Sequence, residues 1–201
     1  MANISHELLT PMHGILNFSE FGYKKTLDDS SMDQEKQKKC NTYFSGINQS
    51  AKRLLEMIND ILKLSLLESG QEKFNIKSND LDHIIRQSLA TLEKKLKTKE
   101  IKIKYTMLDN GTFICDGPKI SEVINRIMQN AIKFSPQASE IDIQVSLQSE
   151  NESHNKYFKI CISDQGPGIP KGELRSIFEK FSQSSTTNTG AGGRGLGLTI
   201  C

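Results

Sequence analysis

The chain has 201 residues, 26 Lys and Arg against 24 Asp and Glu, and a formal net charge of +2. That length holds one domain or two modest ones, and 36% hydrophobic residues supply a core, which sets aside a fibrous or wholly disordered chain. The balanced charge removes the broad electrostatic case for nucleic acid, the first residues lack a signal-peptide pattern, and no run approaches the roughly 18 apolar residues of a membrane span.

Residues 3–26 read as a helix, because Ile4, Leu8, Met12, Ile15, Phe18 and Phe21 recur at three- and four-residue spacing. Pro11 predicts a bend there, since it lacks an N–H and crowds the preceding turn. Residues 27–34 (LDDSSMDQ) carry turn and capping chemistry. A second helix is expected over 35–69, with a stripe of Tyr43 or Phe44, Ile47, Ala51, Leu54, Leu55, Ile58, Ile61, Leu62 and Leu66, ended by Gly70. It would be about 50 Å long. Two helices alone cannot bury both stripes, so the pattern predicts a dimer that forms a four-helix bundle.

From residue 74 the period changes. Phe74–Lys77 reads as a short strand, and Asn79 or Asp80 caps a helix to about Lys99 with Leu81, Ile84, Ile85, Leu89, Leu92 and Leu96 on one side. Ile101–Met107 alternates as a half-buried strand, Thr112–Cys115 is another, and Pro118 opens a helix to about Phe134. Ile141–Leu147 and Tyr157–Ile162 are strands joined by a surface loop over 149–156. The lysines of residues 92–104 (Lys94, Lys95, Lys97, Lys99, Lys102, Lys104) are interrupted by Glu93 and Glu100 and read as a solvated helix end and strand face. Cys40, Cys115, Cys161 and Cys201 show no paired spacing and read as reduced thiols rather than a zinc site. The fold class expected is α+β: a helical hairpin over 1–72, then an α/β sandwich over 73–201 with helices on one face of a mixed sheet.

Four segments carry chemistry. Asp164-Gln-Gly-Pro-Gly168 follows an apolar strand, where glycines admit a close ligand and a fixed carboxylate can accept from an exocyclic amine. Residues 190–197 (GAGGRGLG) hold five glycines in eight positions ahead of a helix start, which suits backbone amides facing phosphates. The polar stretch 182–189 between them reads as a lid. On the helix 118–134, Asn130 and Lys133 share a face, the Asn carbonyl suited to Mg²⁺ and the Lys to phosphate oxygens. Near the start, His6 sits beside Glu7, which can deprotonate one ring nitrogen and leave the other as a nucleophile toward phosphorus, with Thr10 one turn on. His13 shares that face and is the decoy; His83 and His154 read as surface residues.

In this order the segments resemble the sensor histidine kinase family. SHELLTP (5–11) is similar to its phospho-acceptor box, DGPKISEVINRIMQNAIKFSP (116–136) to its Asn box, DQGPGIP (164–170) and GGRGLGL (192–198) to its glycine boxes, and IFEKFSQ (177–183) to its Phe box. The resemblance implies a dimerisation and histidine-phosphotransfer domain (1–72) and a GHKL-type ATP-binding domain (73–201) of the kind shared with gyrase and heat-shock chaperone ATPases. Carried over, it makes His6 the acceptor of the ATP γ-phosphoryl, Glu7 its base and Thr10 an aid to dephosphorylation of the partner. Asn130 would hold Mg²⁺, Lys133 contact phosphate and Phe134 border the nucleotide. Asp164 would read the adenine amine beside Gly166 and Gly168, while Gly193, Gly195, Leu196 and Gly197 would line the phosphates. Phe178 and Phe181 would anchor the lid by burial.

Three positions depart from the pattern: Leu9 replaces an Arg, Gln183 stands where some members have Arg, and Arg126 stands one turn before Asn130 where many carry a second polar residue. Arg126 could contact phosphates or repel Mg²⁺. The resemblance implies autophosphorylation within or across a homodimer, transfer to the aspartate of a receiver domain, receiver phosphatase activity as a second task, and a cytoplasmic location for this segment. The alternative is a nucleotide-binding pseudokinase or receiver phosphatase that acts through protein interaction. The family pattern also leads us to expect more helix and closing strands after Cys201, so the segment reads as a fragment.

Overall fold

A computed structural model describes residues 12–24, 34–109, 111–149, 156–186 and 195–201. The chain divides into two compact units, Met1–Gln71 and Glu72–Cys201. The bend expected at Pro11 and the turn over 27–33 lie outside the described residues.

The first unit holds two helices, α1 over residues 12–24 and α2 over Gln34–Glu68. They meet through Ser19 and Gly22 rather than through Ile15, Phe18 and Phe21 of the stripe expected for α1. Met12 and Ser19 are buried, the Ser19 hydroxyl donates to the Phe44 carbonyl at 2.7 Å, and a Cβ on Gly22 would lie 2.5 Å from the Phe44 ring. Ile15, Phe18 and Phe21 stay exposed, as do Tyr43, Ile47, Leu54, Ile61 and Leu66 on α2. Gly70 ends α2 as expected. With φ at +64° it lets its own N–H reach the Leu67 carbonyl and the Gln71 N–H reach that of Leu66, the paired closure of a left-handed glycine cap.

The second unit runs β1 (Lys77–Asp80), α3 (Leu81–Thr98), β2 (Lys102–Met107), β3 (Thr112–Cys115), α4 (Gly117–Phe134), β4 (Glu140–Ser149), β5 (Lys156–Ser163), two single 3₁₀ turns at Lys171–Glu173 and Ser176–Phe178, and α5 (Gly197–Ile200). β2, β4 and β5 form a mixed sheet in that order, with β2 parallel to β4 and β5 antiparallel to it, while β1 and β3 form a separate antiparallel ladder. The strand expected at Phe74–Lys77 is displaced to Lys77–Asp80. Its N-terminal half cannot join the ladder because the Asp116 carboxylate takes the Asn75 N–H at 2.7 Å, and Phe74 and Ile76 point outward.

Helix starts follow local chemistry. The Asp80 carboxylate caps α3 by accepting the N–H groups of Asp82 and His83, while Asn79 bridges instead to the Lys77 and Cys115 carbonyls. Asp116 caps α4 through the Lys119 N–H, with Pro118 in the first turn where no N–H is needed. Helices α3 and α4 pack on each other and cover one sheet face; Leu81, Ile85, Met128, Ile141, Ile143 and Val145 are essentially solvent-free at the centre. The Tyr105 hydroxyl donates to Asp82 at 2.7 Å and so ties β2 to α3. Ile85→Ala should lower unfolding free energy by about 2–5 kcal/mol in urea titrations, against about 0.5 kcal/mol for Ile114→Ala on the exposed side of β3. Equal losses would mean that the core is placed wrongly.

Candidate functional site

Helix α4 has two faces. Ile124, Met128, Ala131 and Ile132 are buried, and at 100° per residue this stripe leaves Glu122, Arg126, Asn130 and Lys133 together on the opposite side. Asn130 is half-buried and Lys133 exposed. The Lys133 ammonium lies 4.8 Å from the Phe134 ring centroid, and partial burial holds it below the ordinary lysine range. Arg126 is engaged along its own helix: Nε and Nη2 both donate to Glu122 Oε1, at 3.0 and 2.9 Å. Its charge is therefore matched within α4.

The turn after β5 comes up against the end of α4. A Cβ on Gly166 would lie 3.2 Å from the Phe134 carbonyl oxygen and 2.8 Å from Asp164 Oδ1, so any larger residue would crowd this close approach. Asp164 Oδ1 accepts the Gly166 N–H at 2.7 Å, which fixes the carboxylate at the turn, and Gly168 takes φ of +72°. Gly195 is the second close approach. At φ +70° a Cβ there would meet the backbone of Phe181 and Ser182 at 2.5 Å. Leu196, fully buried, precedes α5, which packs against α4 and against the turn at Ser176–Phe178. Phe134, Asp164, Gly166 and Gly168 are thus joined on one side, and Gly195, Leu196 and Gly197 are brought to α4 through α5. His6, Glu7, Thr10 and Gly193 lie outside the described residues.

Phe178 and Phe181 do not anchor the segment by burial as expected: they are 55% and 58% exposed. Ile177 is the residue of that turn that faces inward, and Leu196 and Ile200 fill the space beside it. The following polar segment is held instead by a carboxylate. Glu173 accepts the Ser184 hydroxyl at 2.6 Å, the Ser185 hydroxyl at 2.5 Å and the Ser185 N–H at 3.1 Å, and the Thr186 hydroxyl donates to the Gly168 carbonyl. Neither Glu173 nor Lys99 stood out in the sequence. The Lys99 ammonium donates to the carbonyls of Ile132, Lys133 and Ser135, each at 2.8 Å, so it is not part of a solvated lysine face.

The serine hydrogen bonds hold the Glu173 carboxyl below the usual glutamate range. A carboxyl whose folded value is depressed stabilises its partners above its unfolded value and releases them as pH falls through the folded one. The Ser185 amide should therefore be protected from hydrogen exchange at neutral pH and lose protection only in acid, below the ordinary glutamate value. Glu173→Gln should lower the protection factor already at neutral pH; equal protection in both proteins would contradict the clasp.

The His Kinase A (phospho-acceptor) domain family matches residues 1–70, and the histidine kinase-, DNA gyrase B- and HSP90-like ATPase family matches residues 115–201. The autoinducer 2 sensor kinase/phosphatase LuxQ of Vibrio vulnificus is 32% identical over the whole of this chain, which spans 22% of LuxQ. The circadian input-output histidine kinase CikA of Synechococcus elongatus is 31% identical over the whole chain, which spans 26% of it. The chain thus spans about a quarter of these relatives' length. Among solved structures, full-length ShkA aligns over 99% of this chain and 38% of its own with a TM-score of 0.76 at 24% identity. The Acinetobacter baumannii histidine kinase AdeS aligns over 97% and 83% with a TM-score of 0.59 at 25% identity. No helix among the described residues is long and apolar enough to cross a membrane. With a phospho-acceptor match on the first unit and an ATPase match on the second, the chain belongs to the sensor histidine kinase family.

Proposed function

We propose that this chain is the catalytic core of an ATP-dependent protein-histidine autokinase, with residues 1–72 as the dimerisation and phosphotransfer domain and 73–201 as the ATP-binding domain. The observation that carries the reading is the junction at which the last turn of α4, the Asp164–Gly168 turn and the Gly195–Gly197 segment come within one packed neighbourhood. ShkA, the fold neighbour above, was crystallised in complex with AMPPNP, which is in keeping with a nucleotide-binding reading of this chain. The buried hydroxyls of Ser135, the cap of α4, and of Thr199, in α5, make no hydrogen bond among the described residues.

In this reading Asp164, fixed by the Gly166 N–H, accepts from the adenine amine, and Phe134 borders the base. Lys133 leaves its ring to meet phosphate oxygens, and Gly193, Gly195, Leu196 and Gly197 offer backbone near them. Mg²⁺ supplies charge neutralisation at the transferring phosphoryl group. Among the described residues no three His, Cys, Asp or Glu side chains cluster to hold a metal; the ion would arrive with the nucleotide, with Asn130 adding one oxygen. Glu7 takes the proton from one nitrogen of His6, and the other attacks the γ-phosphorus. The new N–P bond forms as the bond to the β,γ-bridging oxygen breaks, and ADP leaves. Thr10 aids dephosphorylation of the partner, in which water takes the phosphoryl group and inorganic phosphate leaves.

Two partners follow from the reading. A second copy would cover the exposed stripes Ile15, Phe18 and Phe21 of α1 and Ile47, Leu54 and Ile61 of α2, spaced by sevens on α2 as helix-packing seams are. An aspartate of a receiver domain would take the phosphoryl group from His6, with phosphatase activity as the second task.

Incubation with γ-labelled Mg-ATP should give acid-labile, base-stable phosphate that is lost in His6→Gln and kept in His13→Gln. Label that persists in His6→Gln would remove the acceptor assignment, and saturable nucleotide binding without label would favour the pseudokinase reading, in which Arg126 matters most. Gly195→Ala, which drives a Cβ into the Phe181–Ser182 backbone, should weaken AMPPNP binding about tenfold or more, the effect of ~1.4 kcal/mol; unchanged affinity would take Gly195 out of the site.

A further inference from the structure

We propose that Lys99, at the joint between α3 and β2 and outside every motif, is a positioning residue for the nucleotide site; this rests on the reading given above. An ammonium has three N–H donors. At Lys99 all three find carbonyl oxygens at 2.8 Å, those of Ile132, Lys133 and Ser135. These belong to the last turn of α4 and its cap, where carbonyls lack helical partners and the helix dipole favours a cation. Its neighbour Lys97 shows the ordinary alternative, an exposed i,i+4 pair with Glu93.

The backbone of Lys99 is held at the same joint. Its N–H donates to the Lys95 carbonyl and its own carbonyl accepts the Ala138 N–H at 3.0 Å. Glu100 and Ala138 both take left-handed φ values, 54° and 55°, which non-glycine residues adopt only at a cost. One residue therefore fastens the end of α3, the end of α4 and the α4–β4 loop together.

What it fastens is the part of α4 that meets the ligand. The Lys133 and Ser135 carbonyls flank Phe134, whose carbonyl is the surface against which Gly166 packs. Lys133 carries the ammonium laid on the Phe134 ring. A shift of this turn would displace the phosphate-facing lysine and the adenine-facing wall at once. Lys99 touches no substrate in this account; it acts through the backbone of Lys133–Ser135.

Calorimetric titration of the whole chain with Mg²⁺ and AMPPNP, together with autophosphorylation kinetics, separates positioning from a plain structural role. Lys99→Met should raise Kd and the KM for ATP about tenfold with full binding stoichiometry and kcat within about threefold, while Lys97→Met behaves as wild type. Loss of stoichiometry and kcat at unchanged Kd and KM would mean fewer folded molecules rather than a misplaced site, and would overturn the proposal, as would wild-type values throughout. If Lys99→Met does not fold, Lys99→Arg decides: a planar fork cannot serve three carbonyls arranged for an ammonium, so Kd should rise at full stoichiometry, and a wild-type Kd overturns the proposal. A wild-type chain that binds no AMPPNP would instead bring down the nucleotide-site reading and this proposal with it.

Discussion

The orientation of α4 is the constraint on which the second unit depends. Met128 has no exposure, and Ile124, Ala131 and Ile132 are nearly as deep, packed with α3 over Ile141, Ile143 and Val145 of the sheet. Burying each large side chain of this kind contributes about 1.5–3 kcal/mol, so rotation of the helix about its axis would forfeit several such terms at once. Because the helix cannot turn, the stripe Glu122, Arg126, Asn130 and Lys133 has a fixed direction. The chemistry proposed for α4 is thus inherited from its apolar side. Arg126 illustrates the same point: its guanidinium follows the stripe to Glu122, one turn away.

Around this helix the chain uses two different kinds of fastening. The platform is made by close backbone approaches, tight at Gly166 against Phe134 and open only to glycine at Gly195 against Phe181 and Ser182, and by the buried Leu196. The polar segment after Phe181 is fastened by hydroxyl and amide donors to the Glu173 carboxylate. Apolar burial and interlocked backbone resist local opening, whereas exposed polar hydrogen bonds exchange readily with water. A site that must admit and release a ligand is served by that division, with a rigid floor and a strap that can be undone.

The fold was legible in the sequence wherever periodicity and caps coincided. α2, α3, α4 and the strands β2 to β5 start and end within a residue or two of expectation, because Asp80, Asp116, Pro118 and Gly70 mark their ends chemically. Expectation failed where tertiary partners decide. Asn75 is drawn to Asp116, 41 residues away, which shifts β1. Ile15, Phe18 and Phe21 form a good stripe, yet the face of α1 turned to α2 is chosen by Ser19 and Gly22, which let Phe44 come close. The family resemblance implied that Phe178 and Phe181 lie inside, but Ile177 occupies the inward position of a 3₁₀ turn. At the site, Phe134 and Gly166 announce themselves by motif, while Lys99 cannot. A lysine in a run of lysines carries no local sign that three carbonyls of another helix await it, 33 to 36 residues on.

The proposed chemistry requires a nucleotide seated between the end of α4 and the two glycine segments. Hydrogen-exchange mass spectrometry of the whole chain with and without Mg²⁺ and AMPPNP tests this most directly. Saturable protection should appear together in residues 130–135, 164–168 and 195–197 and leave the β1–β3 ladder unchanged. Binding that protects other surfaces, or protects only one of the three segments, would contradict it.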